Sequence, residues 1–523
     1  MNDFMICGAL LYDGTGHPPY PADVAVTESR VAAVAPAGKL HRTGFREIRA
    51  DGLSLSPGFI DAHGHSDVSI LAAPEASGKI SQGVTTEITG NCGLSAFPVL
   101  TDEVREHLDN LYAAYHVPIT WSTLDDYATE LNRREPAINI ASLCGHNTLR
   151  ANISGYGGRT LAAAELNRMA ELLGQALHQG AAGLSTGLLY TPGRFADTAE
   201  LLHLMSVLKK FDRLYATHLR SEGDQLTEAL EEAVFLAKNG SRKLQVSHLK
   251  TALPRNWDKL DRVLELIRNA QSCGIRLTAD RYPYIRSQTS LSVILPPPYD
   301  AMDDISIRRT LCENPAEQQK MARELTKSGR DWDSILLTAS NCMEYAHLSG
   351  KTIAEASKQL GMQPEDFCVD LMAKDAPGTM AAFAGMSGNN LKRILAEEWV
   401  CCGTDESARP FDESIGRSHP RGFGSFPEFM KRVAAESGMS EAVRRVTSLP
   451  ASVFSLKDRG IVREGAFADL VLFDEADFHA NADFTEPHKP ASGIRMVWVN
   501  GTLSCGCGLD RTGKRSGTFL RIC

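Results

Sequence analysis

The chain has 523 residues, of which 43% are hydrophobic and 23% charged, and it carries a formal net charge of -9. This length and ordinary composition predict a globular protein with one large domain and a smaller one. The negative charge, without any block rich in Lys and Arg, argues against nucleic acid and anionic membrane as partners. No segment approaches 18 uninterrupted apolar residues and the N-terminus lacks the features of a secretory signal, so a cytoplasmic location is expected.

The two ends of the chain share one sequence pattern. Residues 1–55 consist of short runs in which apolar and polar residues alternate, separated by Gly and Asp. The same pattern returns in residues 456–523, as in DRGIVREGAFADLVLFDEA, so we expect a small β-sandwich built from both termini. The cysteines are scattered, which favours reduced thiols, although Cys505, Cys507 and Cys523 leave a metal site or a disulfide open.

Between these ends, apolar strand-like segments alternate with helical patterns. The stretch LAAAELNRMAELLGQALHQG, for example, has apolar residues at helical spacing and ends on Gly, a usual helix stop. Eight such alternations predict an α/β fold, a (β/α)8 barrel over residues 56–455. The predicted barrel strands are 58–63, 85–90, 138–144, 183–187, 214–218, 244–248, 276–280 and 399–402.

The seventh and eighth predicted strands are separated by much more chain than the others. That chain includes a Pro-rich stretch, LPPPYD, and a helical stretch, PAEQQKMARELTKSG. Loops of this length in a compact domain usually serve a function. We therefore predict an insertion over residues 286–345 that covers the mouth of the barrel as a lid.

Metal-competent side chains stand at the predicted ends of several strands, where a barrel of this kind carries its chemistry. They are His63, His65, Cys92, His218 and His248, with the carboxylate of Asp405 beyond the eighth strand. Each alone has a common structural explanation, such as a core histidine, a buried thiol or a helix N-cap. Together they predict a metal site, since a Cys thiolate with two His is a zinc ligand set that leaves one position open.

Seven segments in this order and spacing resemble the N-acyl-D-amino-acid deacylases, or D-aminoacylases, of the amidohydrolase superfamily. They are PGFIDAHGHSD, TTEITGNCG, THLRSEG, QVSHLK, YPY, GTD and HPRGFGSFP. The resemblance extends from about residue 5 to about residue 500. It implies a metal barrel with a β-sandwich from both termini and a lid after the seventh strand.

The resemblance also implies the roles of the metal-competent residues. A tightly bound zinc ion would be held by Cys92, His218 and His248. A weaker or vacant second metal position would be lined by His63, His65 and Asp405.

The implied reaction is hydrolysis of the amide bond of an N-acyl-D-amino acid to a carboxylate and a free D-amino acid. Zinc polarises a carbonyl and lowers the pKa of its bound water towards about 7. Asp405 would take a proton from that water and deliver it to the leaving amine. The substrate carboxylate would be held by Lys250, Arg421, Tyr190 and Tyr282, and a forked guanidinium suits a carboxylate.

The sequence departs from the family pattern at three places. Where the family usually has a Ser after YPY, this chain has Gln288, with Ser287 and Thr289 beside it as alternative donors. Glu406 and Ser407 follow the catalytic Asp in place of the usual Gly or Ala. The stretch LSVILPPPY is apolar where members that take acidic D-amino acids carry an Arg, so a neutral or hydrophobic substrate side chain is expected.

Two other functions stay open from the sequence. The same residues would serve a hydrolase of dipeptides with a C-terminal D-residue, or of a cyclic amide. A non-catalytic scaffold related to the superfamily would be expected to lose metal ligands, whereas this chain retains them. The oligomeric state is not encoded in any pattern that we can identify.

Overall fold

Strands and helices alternate along the middle of the chain, and strands dominate both ends, in a computed structural model that describes residues 3–41, 44–505 and 514–523. The strands are β1 (Phe4–Leu11), β2 (Tyr20–Thr27), β3 (Arg30–Pro36), β4 (Arg46–Arg49), β5 (Ser54–Pro57), β6 (Phe59–Asp61), β7 (Val84–Thr89), β8 (Asn139–Ser142), β9 (Cys144–Gly145), β10 (Gly183–Gly187), β11 (Leu214–His218), β12 (Lys243–Val246), β13 (Arg276–Arg281), β14 (Arg286–Ser290), β15 (Ile335–Ala339), β16 (Met380–Ala384), β17 (Val400–Cys402), β18 (Leu470–Phe473), β19 (Ile494–Val499) and β20 (Thr502–Cys505). The α-helices are α1 (Ser69–Ala72), α2 (Ser77–Ile80), α3 (Asp102–Leu111), α4 (Leu124–Arg133), α5 (His146–Ser154), α6 (Ala163–His178), α7 (Thr198–Phe211), α8 (Leu226–Asn239), α9 (Leu260–Ser272), α10 (Asp304–Cys312), α11 (Pro315–Lys327), α12 (Ile353–Leu360), α13 (Pro364–Asp375), α14 (Gly388–Ala396), α15 (Arg421–Ser437), α16 (Met439–Val446) and α17 (Ser448–Val453). None of these helices is long and apolar enough to cross a membrane.

A ring of parallel strands forms the centre of the fold. Strands β6, β7 and β8 pair in parallel, and β9 to β13 and then β17 form the rest of the ring. Only Leu143 separates β8 from β9, and the amide of Ala62 donates to Cys402 O at 3.1 Å, which closes the ring. The strands are buried on both faces, as expected where helices cover a parallel sheet. The predicted α/β barrel is thus confirmed.

Both ends of the chain contribute to one eight-stranded sheet, in the order β20-β19-β18-β5-β1-β2-β3, with β4 also paired to β1. The junction is the antiparallel pair of β5 and β18, which joins the N-terminal and C-terminal parts. An isolated bridge between Arg30 and Phe467 brings β3 against the chain that precedes β18, so the sheet bends back on itself. Its apolar core includes Leu55, Leu470 and the stacked rings of Phe4 and Trp498.

The last described residues, 514–523, lie along the barrel rather than in this sheet. Leu520 N donates to Ile140 O at 2.7 Å and Ile522 N donates to Gly180 O at 3.0 Å. The buried side chain of Ile522 belongs to the apolar cluster of the barrel strands. Cys523 is exposed in this segment, Cys505 is buried at the end of β20, and Cys507 lies outside the described residues.

A second packed unit separates β13 from β17 and contains a three-stranded sheet in the order β14-β16-β15. Its apolar cluster runs from Leu291 to Ala381. The sequence interpretation ended this insertion at residue 345, whereas the structure continues its core through α12 and α13. The reason is that α13 buries Phe367, Leu371 and other apolar side chains in this cluster and not against the barrel.

The C-terminal segment should contribute measurably to stability. Phe519 is buried and packs edge-on against Tyr127 with ring centroids 6.1 Å apart. We expect Phe519→Ala to lower the free energy of unfolding by about 3–5 kcal/mol, because it removes a buried aromatic side chain. Urea unfolding followed by circular dichroism measures this change. The exposed neighbour Arg515 is the control, and a loss in Arg515→Ala as large as in Phe519→Ala would contradict the expectation.

Candidate metal centre

The C-terminal ends of the barrel strands bring together six side chains that can bind a metal. Among the described residues, two groups have ligand atoms that lie within 4.8 Å of one another. One group is Cys92, His218 and His248, and the other is His63, His65, Cys92 and Asp405. The Cys92 sulfur belongs to both groups, so the two share one ligand.

The thiol of Cys92 is the centre of this arrangement. Its Sγ lies 3.4 Å from His63 Nε2 and 3.4 Å from His248 Nε2. The ring of His218 stands edge-on to that of His248, with centroids 4.5 Å apart. Neither ring nitrogen of His218 has a hydrogen-bond partner within residues 3–41, 44–505 and 514–523, although both are buried.

The backbone at three of these residues lies in the left-handed region. The φ angle is 52° at Cys92, 36° at His248 and 52° at Asp405. Non-glycine residues seldom adopt such angles, and each costs on the order of 1–3 kcal/mol. Each of the three lies two or three residues beyond the end of a barrel strand, so the unusual turn directs the side chain into the mouth of the barrel.

The charges of the site favour a thiolate. Burial opposes ionisation of Cys92, but the neighbouring His63 and His248 outweigh it and hold the thiol pKa well below its usual range. His248 shows the complementary effect: burial and Lys250 lower its pKa, while Glu222, Cys92 and Asp405 raise it, for a net value of about 9. A buried anion surrounded by imidazoles is the charge pattern that a divalent cation would satisfy.

The residues fit a zinc ion. A thiolate sulfur and imidazole nitrogens are ligands that zinc prefers, and three protein ligands with an open position are typical of catalytic sites. His218 Nε2 lies 3.7 Å from Glu222 Oε2, whereas the buried Nδ1 has no partner in the described part of the chain, which supports this assignment because buried polar atoms normally have one. Cys92, His218 and His248 are the residues that would hold it.

Asp405 lies between two histidines, His63 and His65, and an arginine. Its Oδ1 is 3.1 Å from His65 Nε2 and 3.5 Å from His63 Nε2, and its Oδ2 is 2.8 Å from Arg421 Nη1. Burial raises the pKa of this carboxyl, but Arg421 and the histidines outweigh burial and hold it well below its usual range. Asp405 is therefore a carboxylate that faces both the metal ligands and a cation.

Two carboxylates that the sequence interpretation missed orient the histidine rings. Glu222 Oε1 lies 2.9 Å from His248 Nδ1, and Asp280 Oδ1 lies 3.1 Å from His63 Nδ1. A carboxylate on the second ring nitrogen fixes the tautomer that leaves the first nitrogen free for a metal. The signals were present, since Glu222 stands four residues after His218 and Asp280 ends the seventh predicted strand.

The residues expected to hold a substrate carboxylate also gather here. Lys250 is buried, donates a short hydrogen bond to Glu222 and lies 2.8 Å from His248 Nδ1. The Tyr282 ring lies under the guanidinium of Arg421, with Cζ 4.7 Å from the ring centroid. The hydroxyl of Tyr282 is buried and has no partner in the described part of the chain.

The remaining candidates lie where β14 meets the barrel mouth. Tyr190 stacks edge-on to His218 at 4.9 Å, and its hydroxyl is 3.3 Å from Thr289 Oγ1. Gln288 Nε2 donates to Glu406 Oε2 at 3.1 Å. The side-chain oxygen Oε1 of Gln288 is buried without a partner among the residues described. Ser287, the remaining alternative donor, is half-buried on the same strand. The insertion thus contacts the site through β14.

Comparison with known proteins relates this site to a family. A sequence profile described as the amidohydrolase family matches residues 46–290 and 351–504. The chain is 33% identical to an N-acyl-D-aspartate deacylase and 32% identical to an N-acyl-D-glutamate deacylase, both from Alcaligenes xylosoxydans xylosoxydans, over 95% of this chain and 91% and 93% of those chains.

Solved structures give the same relationship. An N-acyl-D-glutamate deacylase from Bordetella bronchiseptica, complexed with zinc and a phosphonate inhibitor that mimics the tetrahedral intermediate, superimposes with a TM-score of 0.82 at 31% identity, covering 99% of both chains. A D-aminoacylase structure that concerns a binuclear metal centre matches with a TM-score of 0.82 at 30% identity, again covering 99% of both chains. The chain belongs to the amidohydrolase family.

Proposed function

We propose that this protein is a zinc-dependent deacylase that hydrolyses N-acyl-D-amino acids to a carboxylate and a free D-amino acid. The observation that carries the proposal is the buried Cys92 thiolate among four histidines, with Asp405 beside two of them. Relatives that act on N-acyl-D-aspartate and N-acyl-D-glutamate, at 32–33% identity over 95% of this chain, support the same chemistry.

Zinc is the metal that the ligands support. Cys92, His218 and His248 would hold the tight site, and His63, His65 and Asp405 would line a weaker second position. When bound, zinc supplies a polarising charge for the amide carbonyl and lowers the pKa of water towards about 7.

Asp405 is the proton carrier of the proposal. Its carboxylate is ionised, lies beside His63 and His65, and is nine-tenths buried, so a proton it accepts is kept from bulk water. In this role it takes the proton of the attacking water and donates it to the amide nitrogen as the bond breaks.

The substrate carboxylate is assigned to Arg421, Lys250, Tyr190 and Tyr282. Arg421, beside Asp405, and Lys250, beside Glu222, supply positive charge, and the Tyr282 hydroxyl, which has no partner among the described residues, supplies a donor. In the structure Arg421 pairs with Asp405 and Lys250 with Glu222, so the substrate carboxylate shares these cations with carboxylates of the chain. Gln288 and Ser287 would complete the contact from β14.

The insertion acts as a lid in this proposal, because β14 reaches Glu406 and Tyr190 at the barrel mouth. The run LSVILPPPY after β14 contains no cation, which supports a neutral or hydrophobic substrate side chain, although Leu291 and Ile294 themselves are buried in the core of the insertion. We assign residues 56–455, with the insertion, to the barrel and residues 1–55 and 456–505 to a supporting sandwich-like domain, while residues 514–523 lie along the barrel. The substrate is a small molecule.

Hydrolysis should be specific for one enantiomeric series and should require Asp405. We expect turnover of N-acetyl-D-amino acids and none of the L-series, measured by release of the free amine. Asp405→Asn should lower kcat by about 10²–10⁴-fold, because the proton carrier is lost. Zinc content, measured by mass spectrometry, should stay at one tightly bound ion.

The control is Asp412→Asn, an exposed carboxylate of the same loop, which should retain the kcat of the unmodified protein. Loss of zinc together with activity in Asp405→Asn would assign Asp405 to the tight metal site instead. Turnover of cyclic amides but not of linear acyl amino acids would contradict the proposed reaction.

Arg421 should recognise the carboxylate of the substrate. We expect Arg421→Lys to lower kcat/KM for N-acetyl-D-leucine by about 10- to 150-fold, since a charge-assisted hydrogen bond is worth about 1.5–3 kcal/mol. The preference for this acid over its carboxamide should fall at the same time. Arg432→Lys, an exposed arginine of the same helix, is the matched control. An unchanged preference in Arg421→Lys would exclude Arg421 from carboxylate recognition.

The side-chain preference is testable with two substrates. We expect kcat/KM to be at least about tenfold higher for N-acetyl-D-leucine than for N-acetyl-D-glutamate, because a second carboxylate would be buried without a cation. Initial rates over a range of substrate concentrations give both values. Faster turnover of N-acetyl-D-glutamate would show that this preference is wrong.

A further inference from the structure

A buried lysine that the proposed reaction does not use lies directly behind the metal ligands. Lys79, on α2, has no exposed surface. Its Nζ lies 2.7 Å from Asp61 Oδ2, 2.7 Å from Thr404 Oγ1 and 2.8 Å from the carbonyl oxygen of Glu406. All three acceptors belong to the first or eighth strand of the barrel or to the residues that follow them.

The hydrogen-bond partners of Lys79 connect the loop of His63 and His65 to the loop that contains Asp405. Asp61 Oδ1 accepts hydrogen bonds from His63 N at 3.2 Å and from Thr404 N at 2.9 Å. The carbonyl oxygen of Glu406, to which Lys79 donates, also accepts from His65 N at 3.2 Å. One ammonium group therefore connects the backbone of both histidines to the loop of Asp405.

The charge balance shows why a lysine is needed at this place. Asp61 is fully buried, and Glu87, also fully buried, lies 3.4 Å from Lys79 Nζ. Burial raises the pKa of Glu87 to about 7, against the lowering effect of Lys79. Without the ammonium, Asp61 would be a buried carboxylate without a cation, which is strongly unfavourable.

We propose that Lys79 is a positioning residue, which sets the separation between the loop of His63 and His65 and the loop of Asp405. It touches neither substrate nor any of the six candidate ligands. It acts through Asp61, Thr404 and the carbonyl of Glu406, and it fixes Asp405 against the histidines of the weaker metal position. The inference rests on the proposed function only for its effect on kcat, since the zinc affinity of the weaker metal position depends on the same geometry.

The test is removal of the ammonium, with zinc binding as the primary measurement. In Lys79→Met, calorimetric titration of the metal-free protein should show tight zinc binding within about threefold of the unmodified protein. The weaker site should lose about 10- to 100-fold in affinity, as for other residues that orient metal ligands. With N-acetyl-D-leucine, kcat should fall by at least about tenfold while KM changes by less than about threefold, because Asp405 is displaced and the carboxylate contacts are not.

A second variant covers the case in which Lys79→Met does not fold. Lys79→Met combined with Asp61→Asn removes the uncompensated carboxylate and keeps an oxygen that accepts from His63 N, and it should show the same loss at the weaker site. Arg459→Met is the matched control, because Arg459 is an equally buried cation paired with Asp469 in the terminal sheet. This control should lower the melting temperature and leave kcat and both zinc affinities unchanged.

Three outcomes decide the inference. A loss confined to the weaker zinc site and to kcat supports a positioning role. Unchanged zinc affinities and kcat in the folded double variant would overturn it, and so would a loss of both zinc sites, which would assign Lys79 to the general stability of the barrel. If the unmodified protein binds zinc but hydrolyses no N-acyl-D-amino acid, the proposed function fails, and the zinc titration still decides the role of Lys79.

Discussion

The site depends on one interaction, the burial of the Cys92 thiolate among imidazoles. An isolated charge in a protein interior costs several kcal/mol, so a buried thiolate persists only where positive charge surrounds it. His63 and His248 supply this charge at 3.4 Å each, and both candidate ligand groups contain the same sulfur. The first, second, fifth and sixth strands must therefore end at the same level along the barrel axis, as they do in a closed barrel.

The cations of the site are already paired with carboxylates of the chain. Arg421 lies against Asp405, and Lys250 lies between Glu222 and His248. In the proposed binding mode, a substrate carboxylate would share these cations with Asp405 and Glu222, so the net gain in binding free energy would be smaller than the contact alone would give.

The ligand residues could be predicted from the sequence because parallel barrel strands are continuous apolar runs whose C-terminal ends are easily recognised. Glu222 and Asp280 were missed although the sequence places one four residues after His218 and the other at the end of the seventh predicted strand, because neither position alone shows that the carboxylate reaches a ring nitrogen. The end of the insertion was misplaced for a similar reason. Helix α12 has an amphipathic pattern like that of the barrel helices, and only the packing shows that α12 and α13 bury apolar side chains in the insertion.

The left-handed backbone at Cys92, His248 and Asp405 could not be predicted either, because each residue type favours other angles. Three such positions cost on the order of 3–9 kcal/mol together, a large fraction of the stability of a typical domain. Hydrogen bonds that stabilise the turns offset this cost. His248 N donates to Asp280 Oδ1 at 2.8 Å, and Asp405 N donates to His63 O at 2.7 Å. The left-handed turns are thus held by hydrogen bonds of the barrel itself, and these bonds fix the directions in which the three side chains point.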